Sequence, residues 1–310
     1  MATRWAIIDL GTNTFHLLII EKQGDKFQKL FHESLPARIG KGGIGNNLIT
    51  EEAIERALTV LTYFREQLDK YEIASENINA FGTSAIRNAH NQTEFCEIIR
   101  NATQIPITVI SGQEEATLIY LGVKDGTKLG TEPSLIMDIG GGSVEFIIGN
   151  ENQIFWKQSF EVGGQRLMEK FMKKDPITEA SKRKLYSYLD ENLIELANAM
   201  HQYAPKKLVG SSGTFETLID IEFHNQTGNW PPFDQTDFAL PIDSFYAIFS
   251  QLLVGNQEQR MAIPGMISLR VDMIVVASCL IDYILKTFQI THIQVSRYAL
   301  KEGVLAKLLK

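Results

Sequence analysis

Ile7-Ile8-Asp9-Leu10-Gly11-Thr12-Asn13-Thr14-Phe15-His16-Leu17-Leu18-Ile19 has a counterpart 129 positions later, Ile136-Met137-Asp138-Ile139-Gly140-Gly141-Gly142-Ser143-Val144-Glu145-Phe146-Ile147-Ile148. The two align without a gap. Each is an apolar run, an aspartate, one more apolar residue, a glycine-containing turn and a second apolar run. That order reads as a β-hairpin: a buried strand, a tight turn and a returning strand. Two hairpins of one design in a 310-residue chain point to two similar α/β halves. Two unrelated hairpins sharing turn chemistry are the alternative.

Outward from the hairpins, strand and helix patterns alternate. Ala53, Ile54, Ala57, Leu58, Leu61, Phe64 and Leu68 share one face of a helix, with Glu51 and Glu52 suiting its N-terminal dipole. Residues 78–82 read as a strand, 91–102 as a helix and 107–110 as a strand. Ser111-Gly112-Gln113-Glu114 has capping-box spacing and opens a helix through Gly122. After the second hairpin, a helix is expected over 164–172 and a long one over about 178–203. A strand over 207–209 then leads into the turn Gly210-Ser211-Ser212-Gly213-Thr214. Residues 225–241, with Trp230-Pro231-Pro232, read as a surface loop, and 303–310 as a short final helix. The polar stretch 124–133 is the best boundary between the halves.

The chain is 44% hydrophobic and 22% charged, which excludes disordered and low-complexity architectures. Its net charge of −7 argues against binding duplex nucleic acid, which needs a broad basic face. The most apolar stretch, 273–285, is shorter than the ~20 residues of a spanning helix and contains Asp282, so no membrane partner is expected. Cys96 and Cys279 are too few and too far apart for a disulfide framework or a zinc site. With no export signal in view, the expected compartment is the cytoplasm.

An aspartate at a strand end beside a turn of exposed N–H groups offers two kinds of chemistry. The carboxylate can hold a hard cation, and the N–H groups can cradle phosphate oxygens. The turns Asp9 to Asn13 and Asp138 to Ser143 both fit, and Gly210 to Thr214 adds a third phosphate turn at a helix N-terminus. Gly40-Lys41-Gly42-Gly43-Ile44-Gly45 formally matches G-x-G-x-x-G but lacks the leading strand and following helix of a dinucleotide fold. It reads instead as a mobile loop carrying Arg38 and Lys41. No P-loop motif is present. Glu114 and Glu115 can both simply complement a helix dipole. Capping geometry, reaching back to Ser111, accounts only for Glu114, so Glu115 is the candidate general base. Arg87 can clamp phosphate oxygens or be a surface arginine, and Arg166 and Arg270 share that ambiguity.

These segments, together with Val162-Gly163-Gly164-Gln165-Arg166-Leu167 and Val295 to Leu305, resemble the Ppx/GppA phosphatases, the exopolyphosphatase and guanosine pentaphosphate phosphohydrolase group. The resemblance implies duplicated actin-like ATPase (ribonuclease H-like) domains around a central cleft. Residues 1–124 with 299–310 would form one domain and 125–298 the other. It implies hydrolysis of the terminal phosphoryl group of polyphosphate, or alternatively of guanosine pentaphosphate, with Mg²⁺ or Mn²⁺. Glu115 matches the catalytic glutamate and Arg87 would stabilise the transferring group. Gly11, Thr12, Asn13, Gly140, Gly141, Gly142, Ser143 and the Gly210–Thr214 turn would bind phosphate, with Asp138, Asp9 and Glu145 at the metal. A homodimer is left open. Val144, Arg297 and Lys301 depart from the family's usual Thr, Asp and Arg, which bears on substrate preference. An actin-like small-molecule kinase and a non-enzymatic alarmone sensor are the rival readings.

Overall fold

The computed structural model describes residues 3–24 and 26–308. Both quoted segments form antiparallel hairpins, and their registers coincide. Asp9 lies opposite His16 in one, and Asp138 lies opposite Glu145 at the same place in the other. Each hairpin continues into a third antiparallel strand and is extended on its other side by parallel strands. In the first unit, β1 (Arg4–Leu10), β2 (Thr14–Gln23), β3 (Lys26–Pro36), β4 (Ile78–Gly82) and β5 (Ile107–Val109) lie in the order β3-β2-β1-β4-β5. In the second, β6 (Ser134–Ile139), β7 (Val144–Gly149), β8 (Ile154–Phe160), β9 (Lys207–Ser211), β10 (Asp237–Leu240) and β11 (His292–Ser296) lie in the order β10-β11-β9-β6-β7-β8. Read from the third hairpin strand inward, the orders are the same, with β10 added at the edge. This is the actin-like, ribonuclease H-like α/β domain occurring twice.

The helices in chain order are α1 (Glu51–Lys70), α2 (Ser84–Arg87), α3 (Gln92–Thr103), α4 (Gly112–Gly126), α5 (Gly164–Phe171), α6 (Glu179–Asn192), α7 (Ile194–Tyr203), α8 (Ser212–Thr227), α9 (Ile242–Val254), α10 (Gln257–Met261), α11 (Ile274–Phe288) and α12 (Leu300–Leu308). By its contacts the chain divides into two compact units. One runs to Glu115 and includes the chain end from Lys307, and the other is Ala116–Ala306. In the first, the Thr50 hydroxyl caps α1 by accepting from the Ala53 amide, and Ala53, Ala57, Leu61, Phe64 and Leu68 bury one stripe. That stripe joins Ile8, Leu10, Phe15 and Leu17 in one core. From Ala116 onward, α4 belongs to the second unit. A side chain at Gly122 would occupy the Ala299 carbonyl, and the Tyr120 hydroxyl donates to the Asn150 carbonyl at 2.8 Å.

The apolar stretch 273–285 forms most of α11, buried at every position from Ile274 to Leu285 and packed against α5, α6, α8 and α9. A helix apolar all round is a core helix. Among the described residues no helix is long and apolar enough to cross a membrane.

Three expected boundaries differ. The long helix over 178–203 is broken at Leu193 (φ −114°, ψ 27°) into α6 and α7. The apolar spacing Leu185, Leu189, Leu193, Leu196, Met200 runs through that break, so periodicity gave no sign of it. Within 225–241, α8 extends to Thr227 and residues 237–240 form β10, an edge strand recruited by pairing with β11. The final helix begins at Leu300, and the last two residues of the expected span 303–310 lie outside the described residues.

Candidate active site

The two hairpin turns close in the same way. The Gly11 amide donates to the Thr14 carbonyl at 3.2 Å, and the Gly140 amide to the Ser143 carbonyl at 3.1 Å. A Cβ at either glycine would stand 2.9 or 3.0 Å from that same carbonyl oxygen, so these glycines let the strands close. Their amides are thereby committed to the turn.

The carbonyls of both turns are held from outside. In the first unit, Ala37 and Arg38 amides donate to the Asn13 carbonyl at 3.0 and 2.9 Å, and the Gly40 amide to the Thr12 carbonyl at 3.1 Å. In the second unit the start of α5 does the same work. Gly163, Gly164 and Gln165 amides donate to the carbonyls of Gly142, Gly140 and Gly141 at 3.1, 2.9 and 2.8 Å. The Arg166 Nε adds a bond to the Gly142 carbonyl at 3.0 Å while its Nη2 pairs with Glu161 at 3.0 Å. A peptide unit whose C=O is pinned on one side presents its N–H on the other, the arrangement an anion-binding turn requires. The glycine-rich segment after Arg38 is thus part of the first turn's scaffold. It is docked through Gly40, and Arg56 donates to the Ala37 and Arg38 carbonyls at 3.2 and 2.9 Å.

In the second unit, Asp138 is buried, and its two oxygens accept from Ser211 Oγ at 2.7 Å and Ser212 Oγ at 2.6 Å. Burial pushes the Asp138 carboxyl above its usual range, opposed by those two hydroxyls and by the charges of Lys301 and Arg270. The hydroxyls of the third turn therefore serve the aspartate. Its glycines serve packing, since a Cβ at Gly210 would meet the Phe215 ring and one at Gly213 the Arg270 guanidinium. Ser212 has φ +70°, a left-handed backbone that costs a non-glycine residue about 1–2 kcal/mol. Thr214 is buried in the first turn of α8. Arg270, one of the arginines whose role the sequence leaves open, is half-buried, with a buried Nε that lacks a hydrogen-bond partner. Glu145 Oε1 accepts from Ser143 Oγ at 2.7 Å and from Ser159 Oγ on β8 at 2.6 Å. His16 occupies the corresponding place in the first unit, within 2.6 Å of Ser34 Oγ on β3. Ser159 and Ser34 escaped the sequence reading because nothing local ties either to its partner.

In the first unit, Asp9 is half-buried at the end of β1 beside its turn. Glu115 is buried on α4, its Oε2 accepting from Arg87 Nη1 at 2.7 Å, and the same Nη1 lies 3.2 Å from the Ile110 carbonyl. Arg87 ends α2, directly after β4, so the strand end delivers the guanidinium to the glutamate. The Ser111 hydroxyl accepts from the Glu114 amide at 3.1 Å. The Glu114 carboxylate, however, does not turn back to Ser111. It is half-exposed and 3.7 Å from Lys307, whose charge offers a partner that the local spacing did not reveal.

No group of three or more His, Cys, Asp or Glu side chains among the described residues is placed to form a metal cage. The donors beside Asp138 are all oxygens. A cation there would take most of its ligands from water and phosphate, which suits Mg²⁺.

The Ppx/GppA phosphatase family pattern matches residues 18–310. A putative exopolyphosphatase of Haemophilus influenzae is 28% identical over 309 residues, 98% of this chain and 91% of that one. An exopolyphosphatase structure from Cytophaga hutchinsonii is 44% identical with a TM-score of 0.95, covering 99% of this chain and 98% of the other. The structure of the Aquifex aeolicus family member, 24% identical over 100% of this chain and 98% of its own, has a TM-score of 0.78 and shares the fold.

Proposed function

Because the chain belongs to the Ppx/GppA phosphatase family, we propose that this phosphoanhydride hydrolase removes the terminal phosphoryl group of inorganic polyphosphate. The relatives named as exopolyphosphatases support that choice of substrate. The observation that carries it is the twice-built turn, closed by the same bond in each unit and with its carbonyls pinned by neighbouring amides. The turn amides of Gly141 to Ser143 receive phosphoryl oxygens, and those of Thr12 and Asn13 are the matching turn of the first unit. Glu115, held by Arg87, orients the attacking water and accepts its proton as the new P–O bond forms and the bond to the chain breaks. Arg87 also balances charge on the transferring group.

Asp138, with Glu145 across the hairpin, would hold Mg²⁺ or Mn²⁺, which when bound would neutralise charge on the leaving phosphate, and Asp9 is the matching carboxylate beside the first unit's turn. The fit rests on the hydroxyl-oriented carboxylate of Asp138.

Phosphate release from polyphosphate and guanosine pentaphosphate, assayed side by side with Mg²⁺, tests the proposal. Faster release from polyphosphate is expected. Release only from the pentaphosphate would reassign the substrate, and ATP-dependent product formation without phosphate release would favour a kinase.

A further inference from the structure

Helix α8 carries Ser212, Gly213, Glu216 and Asp220 along one face, at helical spacings of three and four residues. Contacts at both ends of the row fix where that face points. Ser212 Oγ donates to Asp138, the Arg270 guanidinium rests on Gly213, and Arg297 Nη2 lies 3.6 Å from Asp220 Oδ1. Glu216 stands one turn from Ser212 and one turn from Asp220, and so between the two arginines. It is half-buried, and among the described residues no hydrogen bond or ion pair holds its carboxylate.

The charged groups that act on it are Lys301 and Glu302 from α12, Arg270 from the segment before α11, Arg297 after β11, and Asp220 on its own helix. Lys301 and Arg270 act on Asp138 as well. Arg297 is engaged elsewhere, donating to the Pro232 carbonyl at 2.7 Å and lying over the Phe238 ring. Glu302 caps α12 by accepting from the Ala299 amide at 2.9 Å. Glu216 is therefore a carboxylate without a bond of its own, placed among cations that also serve the Asp138 seat. In the ligand-free enzyme it balances them. Once a phosphate chain reaches those cations, an ionised Glu216 repels it.

We propose that Glu216 is a specificity-determining residue of the phosphohydrolase, taking up a proton from solvent as a phosphate chain replaces it as the counter-charge of Arg270 and Lys301. The proposal rests on the phosphohydrolase reading above. Burial already raises the Glu216 carboxyl above its usual range, and a neighbouring polyanion raises it further. Asp220, pushed up to about 6, titrates mostly below pH 7, so assays from pH 7 to 9 isolate Glu216.

The test measures KM and kcat for polyphosphate from pH 7 to 9 in the wild type, Glu216→Gln and Glu216→Asp. Proton calorimetry of inorganic triphosphate binding, in two buffers of different ionisation enthalpy, accompanies it. The wild-type KM should rise with pH, by up to about tenfold per unit between the free and bound pKa values. Glu216→Gln should flatten that rise with kcat little changed, and Glu216→Asp should keep it. Triphosphate binding should take up more protons in the wild type than in Glu216→Gln, by about one. Parallel KM profiles with normal turnover, or equal proton uptake, would overturn the role of Glu216 and leave the hydrolase reading standing. A wild type that hydrolyses no chain defeats the hydrolase reading, and the calorimetry still decides on Glu216. Failure to bind triphosphate would overturn both.

Discussion

Glu114 and Glu115 are adjacent in sequence and opposite in circumstance: one is half-exposed near Lys307, the other buried against Arg87. Positioned general bases contribute ~10²–10⁴-fold, so Glu115→Gln should lower kcat by about that factor with KM nearly unchanged. Glu114→Gln should leave turnover near wild type and shift stability by at most about 0.5 kcal/mol. Steady-state kinetics of the two variants checks both, and the reverse pattern would exchange their roles. Asp220 makes a pH prediction of its own. Burial lifts its carboxyl from the ordinary 3.8 to about 6, so folding favours its protonated form. The stability it contributes is complete below about pH 4, declines as pH rises through 6 and is flat beyond. Chemical-denaturation midpoints of wild type and Asp220→Asn, compared from pH 4 to 7, should diverge over that window. Parallel curves would remove Asp220 as the cause.

At the scale of elements, the junction of α5 with the β6–β7 turn depends on one residue. A Cβ on Gly163 would stand 2.5 Å from the carbonyl carbons of Gly141 and Gly142. Gly163→Ala should cost about 1–3 kcal/mol by overpacking and lower turnover by displacing the turn. Thermal unfolding and activity checks on the purified variant measure the two effects, and wild-type behaviour in both would show that α5 does not set the turn. The hairpins were legible in the sequence because strand and turn signals are local and occur twice. Spacing set Glu115 apart from Glu114, and the structure separates them too, through Arg87 for one and Lys307 for the other, neither of which the local pattern could name. The bonds from Ser211 and Ser212 to Asp138 cross 73 and 74 positions, and no local pattern encodes them. The break at Leu193 stayed hidden because its apolar spacing is unbroken. β10 stayed hidden because four residues at a sheet edge are specified by their partner strand rather than by their own pattern.

For the whole molecule, the buried Asp138 carboxylate, with only hydroxyl oxygens hydrogen-bonded to it, predicts dependence on a hard cation. EDTA should abolish phosphate release, and Mg²⁺ or Mn²⁺ should restore it. Full activity in EDTA would remove the metal role of Asp138. The two cysteines are free, with Cys279 buried and its thiol pushed up to about 12, and Cys96 half-buried. A small thiol reagent should therefore label Cys96 far faster than Cys279 in the native protein and both equally after unfolding. Equal native rates, read by mass spectrometry, would mean that the core around α11 opens readily.

The pinned carbonyls bear on how a repeated turn tolerates different sequences. One turn reads Gly-Thr-Asn-Thr and the other Gly-Gly-Gly-Ser, yet both close through the same bond between first and last residues. Their shape is dictated by neighbouring backbone, from 37–40 in one copy and 163–165 in the other. The turn's closure is therefore set by main chain, and the middle residues of the two copies differ without changing it. The main chain is what the two turns share, and their side chains are where they differ.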